Sequence, residues 1–583
     1  MKSRRIDRVS SDILVIGGGA AAAATAMEAA KFGLSVTLVD KGRLGRSGST
    51  PESGGALNAW MPAEFCQQPC PEDSQDIFFS DVVKGGDYLN NQKLTRIFIE
   101  ESTQIFMELA QLGIPADKDG QGKYPMRKNL GYSYPRAAMS SLHGGGFVLM
   151  TFLRKEVLHR GCRTFENVMV TRLFKREGEI AGALGLDTST GDYIVFQAKA
   201  VVVAGGSATR LLRYNSCNFQ TSGDSYGLTY NVGAELMNME FPEFTVIPTP
   251  VIKGRRVIIH CGGSIPSINS GARFFNRLGE RYMERYDPTR LELTTRGVMV
   301  LANFLERKAG RGPVYMDMSF IPEEKYALIE NHIPIVPIKG AGVDPRQSRV
   351  EWSPALHTFL GGARIDEDCQ TTVPGLYAAG EAAGHGGTFG ADRIGTAISA
   401  CLVFGRRAGK AAARFAMKTN SKGILGKEIR HELGRVESYQ KKSGLSPGQT
   451  QERIMDQSWK TLNVLREGAG LEGALAEFIR IQKDEIPQLK ATNPNQLVAA
   501  LEAENLALTA EMMARSALAR QETRGQHNRE DYPVSNNQQW LSWIILRKGP
   551  SNMELSTTPI PIDRYDIRPA PDYPLKDIRK HLN

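Results

Sequence analysis

The chain has 583 residues, 41% hydrophobic and 23% charged, an ordinary balance for a protein long enough to bury several cores. Its 72 Lys and Arg against 63 Asp and Glu leave a net charge of +9 without any block of like charge, which argues against nucleic-acid binding and leaves room for an acidic substrate or electron carrier. No run approaches ~18 consecutive apolar residues, so no membrane span is expected; no two of the seven cysteines form a C-x-x-C pair, so neither an iron–sulfur cluster nor another metal site is expected.

The basic start, MKSRRIDRVSSD, enters the first strand without an apolar segment, so no secretory or twin-Arg signal is expected and the chain is assigned to the cytoplasm. Ile13–Ile16 then predicts a buried parallel strand, Gly17, Gly18 and Gly19 a sharp turn, and AAAATAMEAAKFG a helix ending near Gly33. Such a junction offers free N–H groups and a positive dipole end to a pyrophosphate. A second apolar strand, VTLV, ends at Asp40, where a carboxylate would accept hydrogen bonds from an adenosine ribose. A third strand, AVVVAGG, ends in the glycine pair Gly205–Gly206. Far downstream, LYAAGEAAG (Leu376–Gly384) repeats the pattern of a strand followed by a glycine-rich loop. Flavoproteins with two dinucleotide motifs return to their cofactor in this way, so the cofactor is read as FAD rather than NAD.

The flavin domain is therefore expected to be discontinuous, residues 1–235 and 351–420. Between them, 236–350 mix alternating segments such as VIPTPVIKGRRVIIHCGGSIP with a helical stretch, TTRGVMVLANFLERKAG. From 421 to 520 apolar residues recur at three- and four-residue spacing, the mark of a small helical bundle. The final segment, 521–583, is Pro-rich from Gly549 and reads as extended chain on the surface.

These motifs, with VVVAGGSATRLLRYNSCNFQTSGDSYG, LHTFLGGARIDEDCQTTVPGLYAAGEAAG, GADRIGTAISACLVFGRRAG and TRGQHNREDYP, resemble the flavoprotein subunits of fumarate reductase and succinate dehydrogenase over nearly the whole chain. Relatives of that family include L-aspartate oxidase and the flavoprotein subunit of adenylylsulfate reductase. The resemblance implies an α/β fold: a doubly wound FAD-binding domain, an inserted α+β capping domain, a helical domain and a C-terminal segment. It also implies hydride transfer between flavin N5 and a carbon next to a carboxylate, with electrons exchanged through an iron–sulfur, ferredoxin-like partner subunit. His357 matches a histidine that binds the substrate carboxylate, Arg393 the arginine that clamps it, and Arg296 the cap arginine that passes a proton to the substrate. To the cofactor it assigns Gly17, Gly18, Gly19, Ala21, Ala22, Asp40, Lys41, Ser47, Gly48, Ser49, Gly54, Gly55, Val170, Gly205, Gly206, Asp224, Glu381, Ile398 and Ser399. His527 and Arg529 are read as structural.

The departures from the family pattern are specific. Where the family attaches flavin covalently through the histidine of R-S-H-T, this chain has Arg46-Ser47-Gly48-Ser49, so FAD is expected to be non-covalent. After M-E-F the family places a histidine for a second carboxylate; here Thr245 stands there, and His260-Cys261 loosely replace a Thr-Glu pair. A hydroxyl brings no charge to that subsite, so the preferred substrate is expected to be something other than plain fumarate, with a larger or less charged far end. Chemistry on sulfur oxyanions, amino acids or larger enoates, and a non-catalytic electron-transfer subunit, stay open as alternatives.

Overall fold

The computed structural model describes residues 4–139, 145–249, 251–252, 255–256, 264–331, 335–395, 397–571 and 573–582. Its central sheet orders the strands Arg163–Phe165, Val36–Val39, Ile6–Ile16 and Tyr193–Val203 in parallel, followed by the antiparallel Glu179–Asp187 and Val168–Arg176. Leu376–Ala378 returns from far downstream to pair in parallel with Val201–Val203. Strands covered on both faces read as unbroken apolar runs, and the period of two divides their side chains. Ile13, Val15, Ala200 and Val202 enter the core beneath the helices Ala20–Ala30 and Ile398–Lys418, while Leu14, Ile16, Val201 and Val203 enter the core on the opposite face.

Those two helices cross at backbone distance because small residues meet there. A Cβ on Gly405 would lie 2.4 Å from the Ala21 carbonyl oxygen, and one on Gly409 would lie 2.3 Å from that of Thr25. Thr25 Oγ1 donates to the carbonyls of both Ala21 and Gly405, at 2.8 and 3.0 Å. Through this contact the second flavin segment is locked onto the first.

The inserted region forms a four-stranded antiparallel sheet, ordered Pro242–Pro248, Val350–Phe359, Val314–Asp317 and Arg273–Phe275, with the helix Arg296–Lys308 packed on it. Trp352, Phe274, Met316 and Val314 are buried between them. The strand Val350–Phe359 continues past position 350, where the sequence reading ends the cap, because its inner residues pair all along Pro242–Pro248. Three of the later helices, Pro447–Thr461, Gly468–Arg480 and Pro494–Ala519, pack on one another. The tail after Gly549 is more ordered than extended surface chain. Met553–Pro559 pairs with Ser542–Lys548, which in turn pairs with Leu236–Met237, so the C-terminal hairpin completes a sheet with the ends of the cap insertion.

His527 and Arg529 belong to a buried ionic knot rather than to a cavity. Arg520 Nε donates to Glu240 Oε1 at 2.7 Å, Glu522 bridges Arg520 and Arg524, and Arg466 Nη1 lies 2.7 Å from His527 Nδ1. Arg529 pairs with Asp531 and donates to the Ala517 carbonyl at 2.6 Å.

Gly405→Ala forces a methyl against backbone and is expected to destabilise the protein by about 1–3 kcal/mol. Gly434→Ala, in the helix Gly426–Glu437 where an added Cβ meets nothing within 4 Å, is expected to stabilise it by about 0.5–1 kcal/mol. Thermal unfolding of the two variants side by side checks both signs; equal shifts would mean that the helix crossing is not as tight as described.

Candidate functional site

The glycine turn after the first strand is fixed by its surroundings. Gly17 has φ +126°, and a Cβ there would lie 2.3 Å from the Ala204 carbonyl oxygen. A Cβ on Gly18 would sit 2.6 Å from Asp40 Oδ2. The turn therefore keeps the first strand, the third strand and the acid at the end of the second close together, with the N-terminus of the helix Ala20–Ala30 open beside them. Asp40 Oδ1 accepts from Gly42 N at 2.7 Å and from Ser47 Oγ at 3.0 Å, and burial raises its pKa above the usual aspartate range.

Most of the predicted cofactor residues line one of two cavities. Gly17, Asp40, Lys41, Ser47, Gly48, Val170, Gly205 and Asp224 line a small cavity of 70 Å³. Ser49, Gly54, Gly55, Glu381 and Ile398 line a large one of 1290 Å³. Lys41 and Asp224 are paired with each other at 2.7 Å, and Glu502 of the helix Pro494–Ala519 holds Lys41 at 2.8 Å. Ala21 and Ala22 line neither cavity: they are buried in the helix Ala20–Ala30, where the small size of Ala21 admits Gly405. Ser399 is buried in the first turn of Ile398–Lys418, and Gly206 adopts φ +79° beyond the third strand. Ser225 Oγ, in the small cavity's wall, and Ser49 Oγ, in the large one's, are buried hydroxyls without a hydrogen-bond partner among the described residues. Buried hydroxyls left unsatisfied by protein in both walls fit a long polar cofactor lying through the site.

The three predicted catalytic residues come from three separate segments and all face the large cavity. Arg296 begins the cap helix, His357 lies on the strand Val350–Phe359, and Arg393 follows the second flavin motif. What joins them is a residue that the sequence reading misses. Glu243, wholly buried on Pro242–Pro248, accepts from Arg296 Nη1 on Oε1 and from Arg393 Nε on Oε2, the latter at 2.8 Å. A signal for it is present in the sequence: an acid in the middle of PEFTVIP has no place in a buried strand unless cations meet it. Thr245 is buried on the same strand, opposite Ala355; His260 and Cys261 lie outside the described residues.

Burial, reinforced by Arg296 and Arg393, holds the His357 pKa well below its ordinary value, so the imidazole is neutral. Ser216 Oγ lies 2.7 Å from its Nδ1, and a serine donating there leaves the ring proton on Nε2. Of the three predicted residues, then, two carry charge and one is neutral. Glu381 accepts from Ser207 Oγ at 2.7 Å, and burial raises its pKa. Asp392, next to the clamp arginine, accepts from Gln526 Nε2 at 3.0 Å and is pushed up to about 7, chiefly by burial.

The Asp392 shift makes stability depend on pH in a known direction. The folded chain binds this proton more tightly than the unfolded one, so the stability it contributes is full below the ordinary aspartate range and is lost as pH rises through about 7. Asp392→Asn keeps the acceptor for Gln526 and stays neutral. The difference in Tm between variant and wild type should therefore grow from about pH 4 to about pH 7 and level off above; a pH-independent difference would contradict this.

Comparison with known proteins identifies the family and the fold. The chain matches the family model described as FAD binding domain over residues 12–397 and the model described as fumarate reductase flavoprotein C-term over residues 451–573. It is 33% identical to a fumarate reductase (CoM/CoB) subunit of Methanothermobacter marburgensis, across 92% of this chain and 97% of that one. It is 28% identical to the fumarate reductase flavoprotein subunit of Mycobacterium tuberculosis, across 95% and 98%. Among solved structures, a point mutant of E. coli quinol fumarate reductase FrdA shares the fold, with a TM-score of 0.88 at 23% identity over 97% of this chain and 98% of that one. Mycobacterium smegmatis Sdh1 in complex with UQ1 gives a TM-score of 0.81 at 28% identity over 95% and 94%. The chain is an FAD-dependent oxidoreductase, and it belongs to the fumarate reductase/succinate dehydrogenase flavoprotein subunit family.

Proposed function

We propose that this chain transfers hydride to or from a carbon alpha or beta to a carboxylate, on a small unsaturated acid or its saturated counterpart. The observation that carries the reading is the convergence of Arg296, His357 and Arg393 on the cavity whose wall also contains Ser49, Gly54, Gly55, Glu381 and Ile398. Bound FAD supplies the two-electron hydride donor and acceptor. The rest of the chemistry falls to the protein. Arg393 holds the substrate carboxylate with its planar fork, and neutral His357 adds a single N–H. Polarising that carboxylate draws charge away from the C=C bond and favours hydride addition at the far carbon. Arg296, fixed by Glu243 at the first turn of the cap helix, passes a proton to the other carbon.

The FAD is non-covalent in this reading, because Gly48 provides no side-chain atom for attachment. Electrons are exchanged with a separate iron–sulfur subunit in this reading, and the presence of a partner chain is supported by the relatives' being named as subunits. A cytoplasmic setting is supported by Cys66, Cys70, Cys162, Cys369 and Cys401, which are free thiols. No helix among the described residues is long and apolar enough to cross a membrane.

Two measurements check the proposal. Acid precipitation of the purified chain should leave all yellow colour in the supernatant, whereas flavin retained in the pellet would contradict non-covalent binding. With reduced viologen as donor, Arg296→Lys should lose kcat while KM changes little, because a shorter point charge is misplaced for proton transfer. Arg393→Ala should lower kcat/KM by roughly a hundredfold or more through the lost clamp. Near-normal kcat in both variants would overturn the assignment.

A further inference from the structure

We infer that Glu243 sets the charge of the substrate, so that the inner end of the cavity takes an acid with one carboxylate and an apolar body in preference to a dicarboxylate. This inference rests on the proposed function above. A clamp for two carboxylates needs cations to spare, and here they are already engaged. Arg296 and Arg393 bring two positive charges, His357 is neutral, and Glu243 sits between the guanidiniums with one oxygen on each. These four residues together sum to one positive charge, which matches one carboxylate. A second carboxylate on a four-carbon acid would lie within a few ångströms of the first, and among Arg296, His357, Arg393 and Glu243 it would find no further cation. Like charges set together in a dry site cost far more than in water. Glu243 cannot swing aside cheaply: it is wholly buried, on a strand paired on one side with Val350–Phe359.

The outer part of the same cavity is built for something other than charge. Leu293, Leu328 and Val336, all on the cap, line it, and they are among the most exposed large apolar side chains of the molecule, at 55%, 69% and 49%. Exposed apolar residues gathered around one cavity mark a binding surface. Of the further cations on the cavity wall, Lys128, Arg290 and Lys325 are exposed and Arg127 is half-buried, and they attract acids toward the opening. Exposed cations, apolar walls and a singly charged inner end together describe an acid that enters carboxylate first and leaves a hydrophobic body under the cap.

The test is kcat/KM with reduced viologen on fumarate, crotonate and cinnamate at neutral pH, for wild type, Glu243→Gln, Glu243→Asp and Leu328→Asp, each checked for flavin content. Wild type should prefer cinnamate to fumarate by about tenfold or more. Glu243→Gln should shift the fumarate-to-cinnamate ratio toward fumarate by about tenfold or more, while Glu243→Asp keeps the wild-type order. Leu328→Asp, at an exposed position, should lose cinnamate turnover severalfold and spare crotonate. A purely structural Glu243 would lower all three substrates together and leave the ratio unmoved, which would overturn the inference, as would a wild type that prefers fumarate. These outcomes leave the proposed function standing. Absence of turnover on any acid by any of the four proteins would overturn the proposed function, and this inference with it.

Discussion

A carboxylate buried between two guanidiniums is the constraint around which the rest of the site is arranged. Glu243 comes from the cap sheet, Arg296 from the cap helix and Arg393 from the second flavin segment, so one side chain ties three parts of the chain that are distant in sequence. Burying such charges is costly unless each is met, and removing one partner leaves an uncompensated charge worth about 3–5 kcal/mol. The cluster therefore couples placement of the cap to placement of the clamp: the cap helix cannot drift without breaking the pair that holds its first residue. Burial keeps His357 neutral, and the two guanidiniums of the same cluster reinforce it.

The cofactor side depends on a different constraint, the close approach of backbone to backbone. Gly17 against Ala204, and Gly405 and Gly409 against the first helix, leave no room for a β-carbon. These contacts draw the turn, the returning strand Leu376–Ala378 and the helix Ile398–Lys418 around one line, with the polar ends of strands and helices opening toward it. The chemistry is then placed where that line meets the cap. A rigid floor made by glycine packing and a roof pinned by an ion pair give a site whose two halves are specified by unrelated interactions.

Much of this is legible in the sequence, for identifiable reasons. The strand–turn–helix at Ile13–Ala30 is readable because its signal is local: an apolar run, three glycines and an alanine-rich helix within about twenty residues. Arg296, His357 and Arg393 are readable only through resemblance, since nothing in their spacing brings them together. Glu243 escapes because comparison at that strand is drawn to Thr245, where the family pattern changes, rather than to an acid two residues earlier that has no reason to be buried alone. Ala21 and Ala22, expected at the cofactor, have side chains buried in packing, since a dinucleotide motif and a tight helix crossing both demand small side chains, and their backbone stays in the first turn of the helix Ala20–Ala30. The C-terminal hairpin is hidden by its prolines, which suggest loose chain although Met553–Pro559 is a paired edge strand.

If the site is complete as described, this chain alone, without a partner, joins electrons from its flavin to a proton from its own cap. A single turnover decides the matter. The holoprotein is reduced anaerobically to the two-electron level, freed of donor, and mixed in a stopped-flow instrument with cinnamate while flavin absorbance is followed. Oxidised flavin should return in one phase, with one equivalent of the saturated acid formed per flavin, and Arg296→Lys should slow that phase without changing its amplitude. Flavin that stays reduced in the presence of cinnamate, crotonate and fumarate alike would contradict this picture of the site.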